Sequence, residues 1–241
     1  MNQVTENPAK TAQQTSGGCR ITKSEWLLAL TGTYCVISVM MNLLCMKPMS
    51  FGTGFIWMDG GLLISWVVFL ISNVNTEVYG KRPAIVVAGI ATVVAFFSSV
   101  IAAVEVYLPT LPEYAEQAEH FANIFSNGPR TILSSATAFF IGNVINVEII
   151  DRFRLRAAAN SNDNAARFTF RAVFSTIVGQ LVDNALFQTL AFAPVGFSVY
   201  EMRWQDIGTA VATGTVIETV VEACFIGFIT IPLTKYLKRL P

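Results

Sequence analysis

Charge is what this sequence has least of. Only 13% of its residues are Asp, Glu, Lys or Arg, against about 25% in an ordinary soluble domain, too few to solvate a globular surface of this size. Histidine is nearly missing: His120 is the only one, and it stands in a connecting segment without a second imidazole, so it reads as a surface residue rather than a metal ligand. The four cysteines, Cys19, Cys35, Cys45 and Cys224, form no CxxC pair, which argues against a zinc site or a disulfide framework. There is no GxxxxGK[ST] loop, no HExxH and no GxSxG. The chain therefore carries no sign of an ATP-hydrolysing unit, a zinc protease or a serine hydrolase. A net charge of zero leaves no electrostatic footprint for nucleic acid. The expectation is a protein without cofactor or metal, and not an enzyme.

Apolar residues are plentiful, at 53%. A helix needs about 20 mostly apolar residues to cross the hydrocarbon core of a bilayer. Six stretches qualify, at about 26–46, 55–71, 83–107, 131–150, 172–192 and 207–231. Their length decides for helix over strand. The predicted fold is an all-α integral membrane protein, a six-transmembrane-helix bundle over residues 25–235. Residues 1–24 are polar and lack the apolar core of a secretory signal; they read as a disordered tail, and residues 236–241 as a second short tail.

Orientation follows from the basic residues. Thirteen of the sixteen fall on one side of the predicted spans: Lys10, Arg20 and Lys23, then Lys81 and Arg82, then five arginines between Arg152 and Arg171, then Lys235, Lys238 and Arg239. The positive-inside rule puts that side, and both termini, in the cytoplasm, which an even number of spans allows. On the other side, Glu113, Glu116 and Glu119 alternate with Tyr114, Ala118, Phe121 and Phe125, the pattern of a short amphipathic helix lying at the outer interface.

A charged side chain at mid-membrane costs about 2.5–3.5 kcal/mol on insertion scales, so polar groups within spans mark cavities or sites. Asn73, Asn75 and Glu77 close the second span, Asn143, Asn146 and Glu148 lie in the fourth, and Glu218 and Glu222 in the sixth. The fifth span is the most informative. Ser175, Gly179 and Asp183 recur every four residues along one stripe, with Thr176 and Gln180 beside it. Packing explains the small residues, including the Ser134, Ala138 and Gly142 stripe, which would also permit a homodimer. It does not explain Asp183, Gln180 and Asn143, which are candidate ligands. Glu77 lies near Lys81 and Arg82 and suits an interfacial ion pair as well as a ligand role. Arg130 either anchors the fourth span at the interface or neutralises an inward-facing carboxylate. Glu218 and Glu222, one turn apart, cannot both stay ionised in a dry site and are candidates for proton coupling.

Three segments together resemble the queuosine precursor transporters, also called the vitamin uptake transporter family. They are Ser72-Asn73-Val74-Asn75-Thr76-Glu77-Val78-Tyr79-Gly80, then Pro129 to Ser135 with Ala138, Phe139 and Gly142, then Ser175 to Gln180 with Asp183. The chain departs from that family's pattern at Asn73, where an aspartate is usual, and in the last span, where a lysine tends to stand near Glu218 or Glu222. The resemblance implies uptake of 7-cyano- and 7-aminomethyl-7-deazaguanine across a bacterial inner membrane. A guanine-like edge offers two adjacent N–H donors, which a carboxylate accepts in bidentate fashion. Asp183 fits that role, with Gln180, Asn143 and Asn146 as amide partners, Phe187 stacking on the ring, and Ser175, Asn73 and Glu77 completing the site. Two mechanisms fit six short-looped helices: a carrier working by alternating access, and a substrate-binding membrane subunit that needs an external energising complex.

Overall fold

Thr22 starts the first helix by a reciprocal cap: its hydroxyl accepts from the Glu25 backbone N–H while the Glu25 carboxylate accepts from the Thr22 N–H at 2.6 Å. In this computed structural model, residues 21–45, 47–50, 57–125, 129–159, 164–195 and 201–240 are described; nearly all of the expected N-terminal tail lies outside them. Helix α1 runs Lys23–Leu44, so residues 23 and 24 belong to the helix rather than the tail. After it come a two-stranded antiparallel pair, β1 Pro48–Ser50 and β2 Trp57–Asp59, then α2 Leu62–Tyr79 and α3 Lys81–Glu105. A 3₁₀ turn at Pro112–Tyr114 leads into α4 Ala115–Phe125. The long helices α5 Pro129–Ala159, α6 Ala165–Phe192 and α7 Trp204–Phe225 follow, and a π turn at Ile226–Thr230 joins α7 to α8 Ile231–Lys238. Pro232 explains the π turn: without an N–H, and with a ring that crowds the preceding turn, it breaks the regular hydrogen-bond ladder.

The bundle inverts the pattern of a soluble protein. On α3, Ala84, Ala88, Ala91 and Ala95 are buried, while Val86, Ile90, Val93, Phe97, Ile101 and Val104 are exposed on the opposite face. Small residues let helices approach, and bulky apolar ones suit lipid. On α7, Val216 and Val220 point out while Thr215, Glu218 and Glu222 are buried. Helix α2 is the centre: every residue from Val68 to Glu77 is buried, and it packs against α1, α3, α5, α7 and α8. Helix α4 buries none of its residues, as an amphipathic connector between longer helices should.

Two boundaries differ from expectation. In the second apolar stretch, expected as helix over about 55–71, residues 57–59 pair with residues 48–50 and helix begins only at Leu62. Gly60 makes this fit: its N–H donates to the Lys47 carbonyl at 2.9 Å, and a Cβ there would meet the Leu44 carbonyl oxygen at 2.5 Å. The shift carries α2 through Tyr79, so Asn73, Asn75 and Glu77 lie inside the helix rather than at a ragged end. Gly80, at φ +88°, then reverses the chain into α3. At the other end α8 continues to Lys238, with Leu237 fully buried, so residues 236–238 are part of the bundle and not a loose tail.

Among the described residues, five helical stretches are long and apolar enough to cross a membrane: Lys23–Leu44, Leu62–Tyr79, Lys81–Glu105, Arg130–Ala159 and Trp204–Lys238. The remaining expected span, the fifth at about 172–192, lies within α6, which has the length at 28 residues but not the apolarity, because Gln180, Asp183, Asn184 and Gln188 dilute it.

Candidate functional site: a polar column through the bundle

Helices α5 and α6 touch at two glycines. A Cβ on Gly142 would sit 2.8 Å from the Asp183 Cβ and 2.9 Å from the Gly179 carbonyl oxygen. One on Gly179 would sit 2.8 Å from the Asn146 Cβ and 3.0 Å from the Gly142 carbonyl oxygen. The stripe of Ser175, Gly179 and Asp183 is therefore a packing seam for most of its length. Ser175 is buried in this seam and bonds back to the Ala172 carbonyl at 3.0 Å. The Ser134, Ala138 and Gly142 stripe is also buried within the chain, so that surface is not available to a second copy.

Asp183 emerges where the seam ends. It lines a cavity of about 40 Å³ together with Asn184 and Phe187 of α6, Glu218 of α7, Ser65 of α2, Ser135 and Phe139 of α5, and Asn42 of α1. Glu218 accepts hydrogen bonds from the Ser65 hydroxyl and, at 2.8 Å, from the Asn184 amide. Ser135 donates to Asn42 at 2.6 Å. Of the residues singled out from sequence, the fold brings Asp183, Phe187 and Glu218 to this space. Ligand pockets for drug-sized molecules run to about 300–1,000 Å³, so the cavity is contracted, and a molecule of that size enters only if the helices part.

Below the cavity lies a second layer. The Asn73 amide donates to Glu222 at 2.9 Å and to Thr176 at 3.1 Å, and its carbonyl accepts from Asn146 at 3.0 Å. Thr176 also donates to Glu222, at 2.9 Å. Glu222 and Glu218, expected as a pair, thus belong to different layers with different partners. Asn143 is occupied elsewhere: it accepts from the Tyr34 hydroxyl at 2.6 Å and donates to the Phe139 carbonyl at 2.9 Å. Gln180 accepts from Thr219 at 3.0 Å. Asn73, Asn143, Asn146 and Gln180 are fully buried and do not line the cavity. Among the described residues, Glu222 Oε2, Asn146 Oδ1 and Gln180 Nε2 are buried with no protein partner. Unmet polar atoms at the centre of a bundle are costly.

The third layer is ionic. Glu77 is completely buried and accepts from Arg171 Nε at 2.5 Å and Lys238 Nζ at 3.0 Å, joining α2 to α6 and α8. Arg171, itself 2% exposed, also sits over the Phe168 ring at 5.1 Å. The expected partners of Glu77, Lys81 and Arg82, are not the ones it takes: Lys81 pairs with Glu148. Arg130 does not neutralise a carboxylate. Its Nε and Nη2 donate to the Leu190 and Ala193 carbonyls at 2.5 and 3.1 Å, closing the C-terminal end of α6, where unpaired carbonyls attract a cation.

Sequence reasoning missed Asn42, Ser65, Ser135 and Asn184 at the cavity, and Arg171 and Lys238 in the ionic layer. Asn184 carries a signal, an amide within a span, as does Asn42. Arg171 and Lys238 carry none, because cations near span ends are the ordinary positive-inside pattern. Among the described residues, no group of three or more His, Cys, Asp or Glu side chains is placed to hold a metal ion.

Several lipid-length apolar helices around a column of buried carboxylates and amides define a multi-pass helical membrane protein. The family model described as "Putative vitamin uptake transporter" matches residues 59–231, and the chain belongs to that family. Neither curated proteins nor solved structures yield a match.

Proposed function

We propose that this chain imports 7-deazaguanine bases, the 7-cyano and 7-aminomethyl precursors of queuosine, across the inner membrane of a bacterium. The observation that carries the reading is the convergence of Asp183, Asn184, Glu218 and Phe187 on one cavity. A carboxylate suits the paired N–H donors of a guanine-like edge, an amide suits its carbonyl, and an aromatic face suits its ring. The same reading takes six spans: α6, about 42 Å long at 1.5 Å per residue, crosses with its polar residues turned inward, and α7 with α8 forms the last span. The basic end of the bundle then faces the cytoplasm, with both termini.

The layering suits alternating access. The cavity lies toward the outer ends of α1, α2 and α6, while Glu77, Arg171 and Lys238 tie the cytoplasmic ends of α2, α6 and α8 together. Solute enters from outside, the helices around Asp183 close, and the ionic layer opens. Glu222 and Glu218 are the groups through which a proton gradient would drive the cycle. Initial uptake rates unchanged by a protonophore would exclude that coupling.

The deciding experiment is uptake of the two labelled bases into cells unable to make them, with and without this chain. Chain-dependent uptake is expected, and Asp183→Asn, at normal membrane abundance, should reduce it at least tenfold, the worth of one charge-assisted contact of about 1.5–3 kcal/mol. Uptake of neither base by a well-expressed protein overturns the substrate; normal uptake by Asp183→Asn overturns the site.

A further inference from the structure

Glu222 is fully buried and bonds only neutral groups. Its Oε1 accepts from the Asn73 amide and the Thr176 hydroxyl, each at 2.9 Å. The carboxylates buried nearer the cytoplasmic end take cations: Glu77 binds Arg171 and Lys238, and Asp151 binds Arg154. On the elements packed around α7, the charged groups facing this layer are Asp183 and Arg171 of α6, Glu77 of α2 and Lys238 of α8. Glu218 lies one turn above on α7 itself. None of them bonds Glu222. An ionised carboxylate out of water and without a counter-cation costs more than two neutral hydrogen bonds return. The same network leaves two buried oxygens without a donor, Glu222 Oε2 and Asn146 Oδ1. Asn73 donates to Glu222 Oε1 and accepts from Asn146 Nδ2, so the two bare oxygens flank one carboxamide.

We propose that Glu222 carries a proton in this conformation, its Oε2–H donating to Asn146 Oδ1, and that this is the proton that crosses with the solute. A single proton removes the charge and turns a bare acceptor into the donor that the second one needs. A water donating to both oxygens would meet the atoms and leave the charge. A hard metal ion takes about six oxygen ligands, and this network offers two. The O–H bond forms at Oε2 with a proton taken from the outer water by way of the Asp183 cavity. It breaks when the layer rearranges, and the proton passes to water on the cytoplasmic side. Asn146 is then a positioning residue, and the coupling group narrows from the Glu218 and Glu222 pair to Glu222. Its part in transport rests on the uptake reading above; the proton itself does not.

The test is infrared difference spectroscopy of the purified full-length chain in liposomes near neutral pH, in light and heavy water. A buried carboxylic acid shows a C=O stretch above the amide bands that moves down on deuteration. That band is expected in the parent, lost in Glu222→Gln and kept in Glu218→Gln. Glutamine at 222 still accepts from Asn73 and Thr176 and donates to Asn146, so the fold is retained. Asn146→Leu, which removes the acceptor, should move the band to higher frequency rather than abolish it. No band in the parent, or a band that survives Glu222→Gln, overturns the proposal; an unshifted band in Asn146→Leu overturns the role of Asn146. Loss of the band on adding sodium at constant pH would mean that a metal ion takes the site, and overturns the proton. In the same liposomes, Glu222→Gln should exchange labelled base across the membrane but lose accumulation driven by an inward proton gradient. Accumulation equal to the parent's overturns the coupling role. A parent that moves neither base overturns the substrate reading, while the infrared band still decides the proton.

Discussion

Replacing Glu77 by alanine probes the bundle where its chemistry is least forgiving. The carboxylate is completely buried, and so, at 2% exposure, is the Arg171 guanidinium it binds; Lys238 is 44% exposed. Burying an ion pair returns little net stability, but removing one partner leaves a charge in a medium that cannot solvate it, at a cost of about 3–5 kcal/mol. Lys238 can turn to solvent, so Lys238→Ala should cost no more than about 1 kcal/mol. The loss at Glu77 therefore comes almost wholly from Arg171. For a chain of this size it corresponds to a fall of about 10 °C in unfolding temperature, measured on purified protein in detergent. Removing both charges tests the cause: Glu77→Leu with Arg171→Leu should recover most of the loss, because well-packed apolar residues replace a buried pair at little cost. A Glu77→Ala protein melting within about 2 °C of the parent would refute this reasoning. So would a double leucine variant as unstable as the single alanine one.

Three further outcomes follow from single positions in the bundle. Gly179→Ala places a methyl against the Gly142 backbone and the Asn146 Cβ; it should cost about 1–3 kcal/mol by overpacking, seen as a lowered unfolding temperature, and should reduce uptake by shifting Asp183. Gly80→Ala forces a Cβ into φ +88°, ψ 177°, a region open essentially to glycine alone, for about 1–3 kcal/mol; the same melt measures it. Tyr34→Phe deletes the donor to Asn143 and leaves a buried acceptor unmet, for about 1–3 kcal/mol, while uptake per folded molecule stays near that of the parent because neither residue lines the cavity.

The cavity and the ionic layer make different demands on the same helices. On the proposed reading, the contracted space of about 40 Å³ beside Asp183 widens to take the base while the Glu77 cluster holds. Between them, Asn73, Asn146, Thr176 and Glu222 bond across α2, α5, α6 and α7. Movement at either end therefore has to rearrange this layer, where the unmet atoms of Glu222, Asn146 and Gln180 lie. Unmet buried groups are a reason for such a layer to have more than one arrangement.

Composition and hydropathy were enough to give a helical membrane protein, the positions of most long helices and the segregation of basic residues, while the family was legible in the resemblance of three segments, 72–80, 129–142 and 175–183. Each of these depends on the residues of one segment at a time. The cost of leaving a backbone unpaired in lipid forces helix wherever a run is apolar, and no neighbour can change that. That Asp183 faces a cavity accords with its signal in the sequence, because a carboxylate in a span needs a reason. Where the sequence failed, the cause was a partner from elsewhere in the chain. Residues 57–59 became a strand only because residues 48–50 lie opposite. Asn143 looked like a ligand until Tyr34, 109 residues away, took its carbonyl oxygen. Glu77 chose Arg171 and Lys238 over the nearer Lys81 and Arg82. Glu218 and Glu222 share a helix face and one turn, yet Ser65 and Asn184 claim the first while Asn73 and Thr176 claim the second. Spacing along a helix tells which side chains share a face; which groups meet that face is decided by helix packing, since hydrogen bonds and ion pairs act over about 3 Å between residues that may be a hundred positions apart.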